Sequence, residues 1–125
     1  MVDHKNIFQL LMILVTVTLI AIATINNISS IKIGDILAEK GFSPNPVNIK
    51  SGDNVTWVND DTILHTITYR PFYGGETGKL FDSGLFEPTA LTTRGKTFSH
   101  IFTEKGQYPY FCQLHPTMVG KVSIS

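Results

Sequence analysis

The chain predicts an all-β protein, an antiparallel β-sandwich preceded by an N-terminal hydrophobic helix. Three observations carry that expectation. Short runs rich in β-branched and aromatic residues alternate apolar with polar positions. Turn residues separate these runs at short intervals, and no helical period follows residue 26. Ahead of them, residues 7–25 form one nearly unbroken apolar stretch.

That stretch runs from Ile7 to Ile25, interrupted by Gln9 and a few threonines, behind the weakly charged Asp3-His4-Lys5. At about 1.5 Å of rise per residue it would reach about 28 Å, close to the hydrocarbon thickness of a bilayer. Its length favours an uncleaved transmembrane anchor over residues 1–28. A cleaved signal peptide is the alternative, with Ala21-Ile22-Ala23 as a small-x-small site. Either fate places the domain spanning 29–125 outside the cytoplasm, at the cell surface or in the periplasm, anchored or secreted.

Within that domain, Ser30 to Ile33 is a short alternating strand. Gly34 to Pro46 is irregular, because the two prolines of Ser43-Pro44-Asn45-Pro46 argue against a central strand. Val47 to Lys50 and Asn54 to Val58 are strands divided by the turn Ser51-Gly52-Asp53, with Val55 and Trp57 on one face. Asn59-Asp60-Asp61 breaks the second of these, and Leu64 to Tyr69 resumes with β-branched residues. Arg70 to Gly95 reads as a long loop with at most a short strand around Lys79 to Asp82. A loop of that length is usually functional. Thr97 to Phe102, Gln107 to Phe111 and Val119 to Ser125 complete the set. The predicted interior comprises Val47, Ile49, Val55, Trp57, Ile67, Phe98, Phe102, Tyr108, Tyr110, Val122 and Ile124.

Ten Lys and Arg balance ten Asp and Glu, and the N-terminal segment removes only Lys5 and Asp3 from these totals. A neutral domain without a basic cluster is a poor nucleic-acid binder. A monomer is expected. One cysteine, Cys112, excludes an intramolecular disulfide, and an unpaired thiol outside the cytoplasm is open to oxidation.

Metal ligation would occupy that sulfur. Cys112 stands in Tyr-Phe-Cys112-Gln-Leu-His115-Pro-Thr-Met118, where a thiolate, an imidazole and a thioether follow at equal spacing. His65, from a distant strand, supplies a second imidazole. Two His, one Cys and a weak Met form the donor set of a blue-copper electron-transfer site. A buried free cysteine is the ordinary alternative, and His115 and Met118 beside it argue against that. His100 lies mid-strand between Phe98 and Phe102 and reads as structural or partly exposed. His4 belongs to the N-terminal segment.

The segments Val-Thr-Trp57-Val-Asn59, Leu-His65-Thr, Gly106-Gln-Tyr-Pro-Tyr-Phe-Cys112 and His115-Pro-Thr-Met118-Val-Gly-Lys-Val resemble the cupredoxins, most closely the plastocyanin and amicyanin branch. The resemblance covers nearly all of 29–125 and implies a Greek-key sandwich. It also implies one type 1 copper ion, cycling between Cu(I) and Cu(II), ligated by His65, Cys112, His115 and Met118. In such families the second histidine breaks the surface within an apolar patch where redox partner proteins dock. Leu114, His115 and Pro116 would form it here, joined by Phe86 or Pro88.

The implied function is a mononuclear electron carrier between extracytoplasmic redox partners, not an enzyme. Copper storage or delivery is one alternative, although Met-rich and Cys-x-x-Cys patterns are missing. An accessory domain of a copper oxidoreductase is another, although the chain has no His-x-His. A zinc site is disfavoured by the thioether of Met118. Pro116 offers no amide donor, whereas Leu114 N–H is free to approach the Cys112 sulfur and raise the potential. Asn59 and Thr66 flank the upstream ligand and are candidate braces for it.

Overall fold

A computed structural model describes residues 4–6, 28–34 and 41–125. The apolar run predicted as anchor or signal lies outside the described residues. Among those described, no helix is long and apolar enough to cross a membrane.

Among the described residues eight strands follow in order: β1 Ile28–Ile33, β2 Phe42–Ser43, β3 Val47–Ile49, β4 Asn54–Asn59, β5 Thr68–Tyr69, β6 Thr97–Ile101, β7 Gly106–Cys112 and β8 His115–Ile124. They build two four-stranded sheets, ordered β2-β1-β4-β6 and β3-β8-β7-β5. The sandwich read from the alternating runs is therefore present, but its sheets are mixed. β1 pairs parallel with β4, Ile31 opposite Trp57, and β3 pairs parallel with β8, Val47 opposite Val122. The cause lies in the connections. β3 belongs to the second sheet, so the chain crosses over before re-entering the first alongside β1.

Alternation in β4 turns Val55, Trp57 and Asn59 inward. Trp57 is fully buried and meets Tyr110 of the opposite sheet edge to face, ring centroids 5.3 Å apart. Phe98, Phe81 and Phe102 surround the same indole at 5.8, 6.0 and 6.5 Å. Burying each such side chain stabilises by about 1.5–3 kcal/mol. Of the predicted interior, Phe98 and Tyr108 are only partly buried and pack against the core, and the rest are buried. Ile31, Ile33, Phe42, Phe81 and Leu91 complete that core together with Cys112 and Met118.

Phe42–Ser43, inside the stretch read as irregular, forms β2 and pairs with β1, Phe42 opposite Ile33. Two further elements differ. The strand expected over Leu64 to Tyr69 survives only as Thr68–Tyr69, with His65 in an isolated bridge to Leu91. The amides between are spent elsewhere: Thr66 N–H points at the Cys112 sulfur, and Ile67 N–H donates to Ser83 Oγ at 2.9 Å. Secondly, the last strand, expected from Val119, starts earlier. Cys112 pairs with His115 across the two-residue turn Gln113-Leu114, behind an irregularity between Phe111 and Cys112, and β8 begins at His115.

Candidate metal centre

β4 ends at Asn59, which organises the return of the chain toward His65. Its side-chain amide donates to the carbonyls of Ile63 and Leu91, both at 2.9 Å. Its Oδ1 accepts the Asp61 amide at 2.8 Å. His65 N–H donates to Leu91 O at 3.2 Å, so its backbone is clamped before its side chain is considered. The expectation that Asn59 and Thr66 brace this region is met by these contacts and by the Thr66 amide.

The structure brings His65, Cys112 and His115 together. One donor atom from each lies within 4.8 Å of the others. His65 and Cys112 are fully buried and His115 is partly exposed. Cys112 Sγ is 3.8 Å from His65 Nδ1 and 3.5 Å from His115 Nδ1. The two imidazoles stand 5.1 Å apart, centroid to centroid. Met118, further along β8, is buried in the same core cluster as Cys112. His100 lies away from this group, half-buried between Phe81 and Phe102 at centroid distances of 5.1 and 4.8 Å.

These donors fit a first-row metal ion. Bonds of about 2.3 Å to sulfur and about 2.0 Å to nitrogen, at trigonal angles, separate S from N by about 3.7 Å. The observed 3.8 and 3.5 Å bracket that value. A thiolate with two imidazoles is a set that suits copper, and the thiolate form is already favoured. Burial pushes the Cys112 thiol up, but His65, the Thr66 amide, His115 and the Leu114 amide outweigh it and bring the thiol down to about 6. Burial likewise pushes His65 down, yet hydrogen bonds to Cys112 and Asp61 and the charges on both raise it overall.

Two features were not read from the sequence. Asp61 Oδ2 lies 2.8 Å from His65 Nε2, in a position read only as a strand breaker. The second is a polar network that fastens the turn after Cys112. Gln113 N–H donates to Thr66 Oγ1 at 2.8 Å, and Thr66 and Thr68 hydroxyls meet at 3.0 Å. Thr68 donates in turn to Asp82 Oδ1 at 3.0 Å, and Gln113 Nε2 reaches Thr68 Oγ1 and Asp82 Oδ2 at 3.0 and 3.2 Å. Asp82 accepts at every contact, so the hydroxyl chain has one direction: Thr66 to Thr68 to Asp82. The run of alternating threonines was the available signal, but it reads equally as strand propensity.

The profile of copper binding proteins of the plastocyanin/azurin family matches residues 30–125. Amicyanin from Paracoccus denitrificans is 31% identical over 88 residues, covering 70% of this chain and 61% of that one. The chain thus spans less than two thirds of that relative's length. Chloroplastic plastocyanin from Tetradesmus obliquus is 31% identical over 100 residues, covering 78% and 68%. Among solved structures, a purple cupredoxin from Nitrosopumilus maritimus superimposes with a TM-score of 0.66 at 36% identity, covering 78% of this chain and 99% of that one. A mixed two-sheet sandwich, a thiolate between two imidazoles and a match running from β1 to the last residue agree: this chain belongs to the plastocyanin/azurin family of copper-binding proteins.

Proposed function

We propose that the protein carries single electrons on one copper ion held by His65, Cys112, His115 and Met118, passing them between extracytoplasmic redox partners. The supporting observation is the position of Cys112 Sγ, fully buried between two imidazole Nδ1 atoms at separations suited to trigonal ligation. Copper would supply the one-electron couple between Cu(II) and Cu(I), and a donor set of two imidazoles, a thiolate and a thioether would serve both states.

The chain's own residues do the rest. His65, clamped by Leu91 and Asn59, and Cys112, held by the Thr66 amide, sit on a stiff body that resists rearrangement when charge changes. Met118, buried in the same core cluster as Cys112, would offer the metal a soft thioether. Partly exposed His115 and exposed Leu114 and Pro116 make the edge through which electrons enter and leave, and partners dock there. Such a site is built for transfer, whereas a storage or delivery site needs ligands that exchange.

The test is the visible spectrum of the protein loaded with Cu(II). An intense colour, bleached by ascorbate and restored by ferricyanide, is expected, and Cys112→Ser should abolish it. A colourless copper complex, or colour that survives loss of the thiol, overturns the proposal.

A further inference from the structure

His65 is gripped from both sides of its ring. Nδ1 faces the Cys112 sulfur, and Nε2 lies 2.8 Å from Asp61 Oδ2. The histidine is 0% exposed and Asp61 is 5% exposed. A carboxylate that deep is costly unless it is hydrogen-bonded. The fold meets that need locally: Thr62 N–H donates to Asp61 Oδ1 at 2.6 Å, and the Asp61 amide is anchored on Asn59 Oδ1 at 2.8 Å. The carboxylate is therefore fixed by the end of β4 before it meets the imidazole.

We infer that Asp61 is a positioning residue for the metal centre: it fixes the His65 ring with Nε2 protonated and Nδ1 free, and lowers the reduction potential. The inference rests on the copper reading above. A ring whose Nδ1 binds a metal must carry its proton on Nε2, and a carboxylate accepting that proton makes the other nitrogen a stronger donor. The stronger donor, with the added negative charge, stabilises Cu(II) more than Cu(I). Asp61 thus opposes the amides of Thr66 and Leu114, whose donation to the sulfur favours the reduced site.

Asp61→Asn keeps the size but removes the charge. Its side chain has one acceptor oxygen where two N–H groups, from Thr62 and His65, need one each. Outer-sphere partners of this kind are worth about 10–100-fold in metal affinity. We expect the variant to lose at least tenfold in Cu(II) affinity relative to Cu(I), a rise in potential of about 59 mV for a one-electron couple. Asp60→Asn removes an exposed neighbouring charge and serves as the control. An unchanged potential in Asp61→Asn, or an equal rise in Asp60→Asn, would overturn the inference.

A measurement on the unaltered protein covers the case in which the variant does not fold. In the Zn(II)-loaded full chain, proton NMR should show a slowly exchanging, far-downfield Nε2 proton assigned to His65. Its absence overturns the inference without touching the copper assignment, which stands or falls on the colour and on Cys112→Ser.

Discussion

The backbone N–H of Thr66 points at the Cys112 sulfur from 3.4 Å, across 46 residues of sequence. Thr66 immediately follows His65, so one short segment delivers an imidazole to the metal centre and an amide to its thiolate. A shift of that segment would move both together. This coupling makes the site a property of the segment facing the β7–β8 hairpin rather than of three independent side chains.

Leu114 supplies the other amide that favours the Cys112 thiolate. Hydrogen bonds to the sulfur stabilise the reduced site, where more charge resides on it. Leu114→Pro removes that donor and should lower the potential by some tens of millivolts, a fraction of the roughly 1.5–3 kcal/mol of a hydrogen bond to a charged group. Voltammetry of the copper-loaded variant checks this. No fall in potential would mean that Thr66 alone sets the charge on sulfur.

What was legible in the sequence was what repeats locally. Alternation over Asn54 to Asn59 became β4, and the Cys112, His115 and Met118 spacing became the end of a hairpin and the start of β8. What escaped was whatever depends on contacts between distant segments. Thr66 and Ile67 look like strand residues, but their amides serve side chains at Cys112 and Ser83 instead of a ladder. Phe81 and Leu91 sit in a stretch with no period, yet both are buried in the core. Asp61 reads as a turn residue because its partner is chosen by where β4 stops. Phe98 reads as interior from its alternation with Phe102, but β6 is the outer strand of its sheet and leaves it partly exposed.

The thiol of the metal-free protein should titrate far below a free cysteine. Its folded value is about 6 against an ordinary 9, with burial opposed by His65, the Thr66 amide, His115 and the Leu114 amide. Between these values the unfolded chain binds a proton that the folded chain has released, so this group makes stability rise with pH. That contribution is complete above 9 and is lost as pH falls through 6. His65, raised by its hydrogen bonds to Cys112 and Asp61 against the effect of burial, acts oppositely: its share is complete below 6.5 and fades as pH climbs through its raised value. Thiolate ultraviolet absorbance should therefore show a midpoint near 6 in the folded metal-free protein and near 9 in denaturant. A folded midpoint near 9 would show that the donors around the sulfur are ineffective.

The directed hydroxyl chain predicts an asymmetric response at Thr68, which is fully buried and links Thr66 and Gln113 to Asp82. Thr68→Val keeps the shape and strands the Thr66 hydroxyl without its acceptor. A cost of about 1–3 kcal/mol is expected from urea denaturation of the metal-free protein. Thr68→Ser retains the hydroxyl and should lose less of the network. In a cycle with Gln113→Ala, the coupling should lie at about 0.5–3 kcal/mol, since Gln113 spans the same hydroxyl. Simple additivity would mean that the turn holding His115 is set without this network.

Gly120 stands opposite Tyr110 in the β7–β8 pairing, and its backbone needs no conformation special to glycine. It is required by closeness instead. A Cβ there would fall against the edge of the Tyr110 ring, 2.7 Å from Cε2 and nearer still to Cζ and the hydroxyl. Tyr110 cannot yield, because Phe42 and Trp57 already pack on it at centroid distances of 4.8 and 5.3 Å. Gly120→Ala should therefore destabilise the protein by about 1–3 kcal/mol, the usual cost of overpacking. The strain falls on the hairpin that carries Cys112, His115 and Met118, so the variant should also surrender copper to a chelator faster than the parent. Pairing Gly120→Ala with Tyr110→Leu relieves the clash, and the double variant should be more stable than the sum of the single losses requires. Urea midpoints and chelator-challenge rates on the four proteins decide it, and strict additivity in stability would show that the ring was never the obstacle.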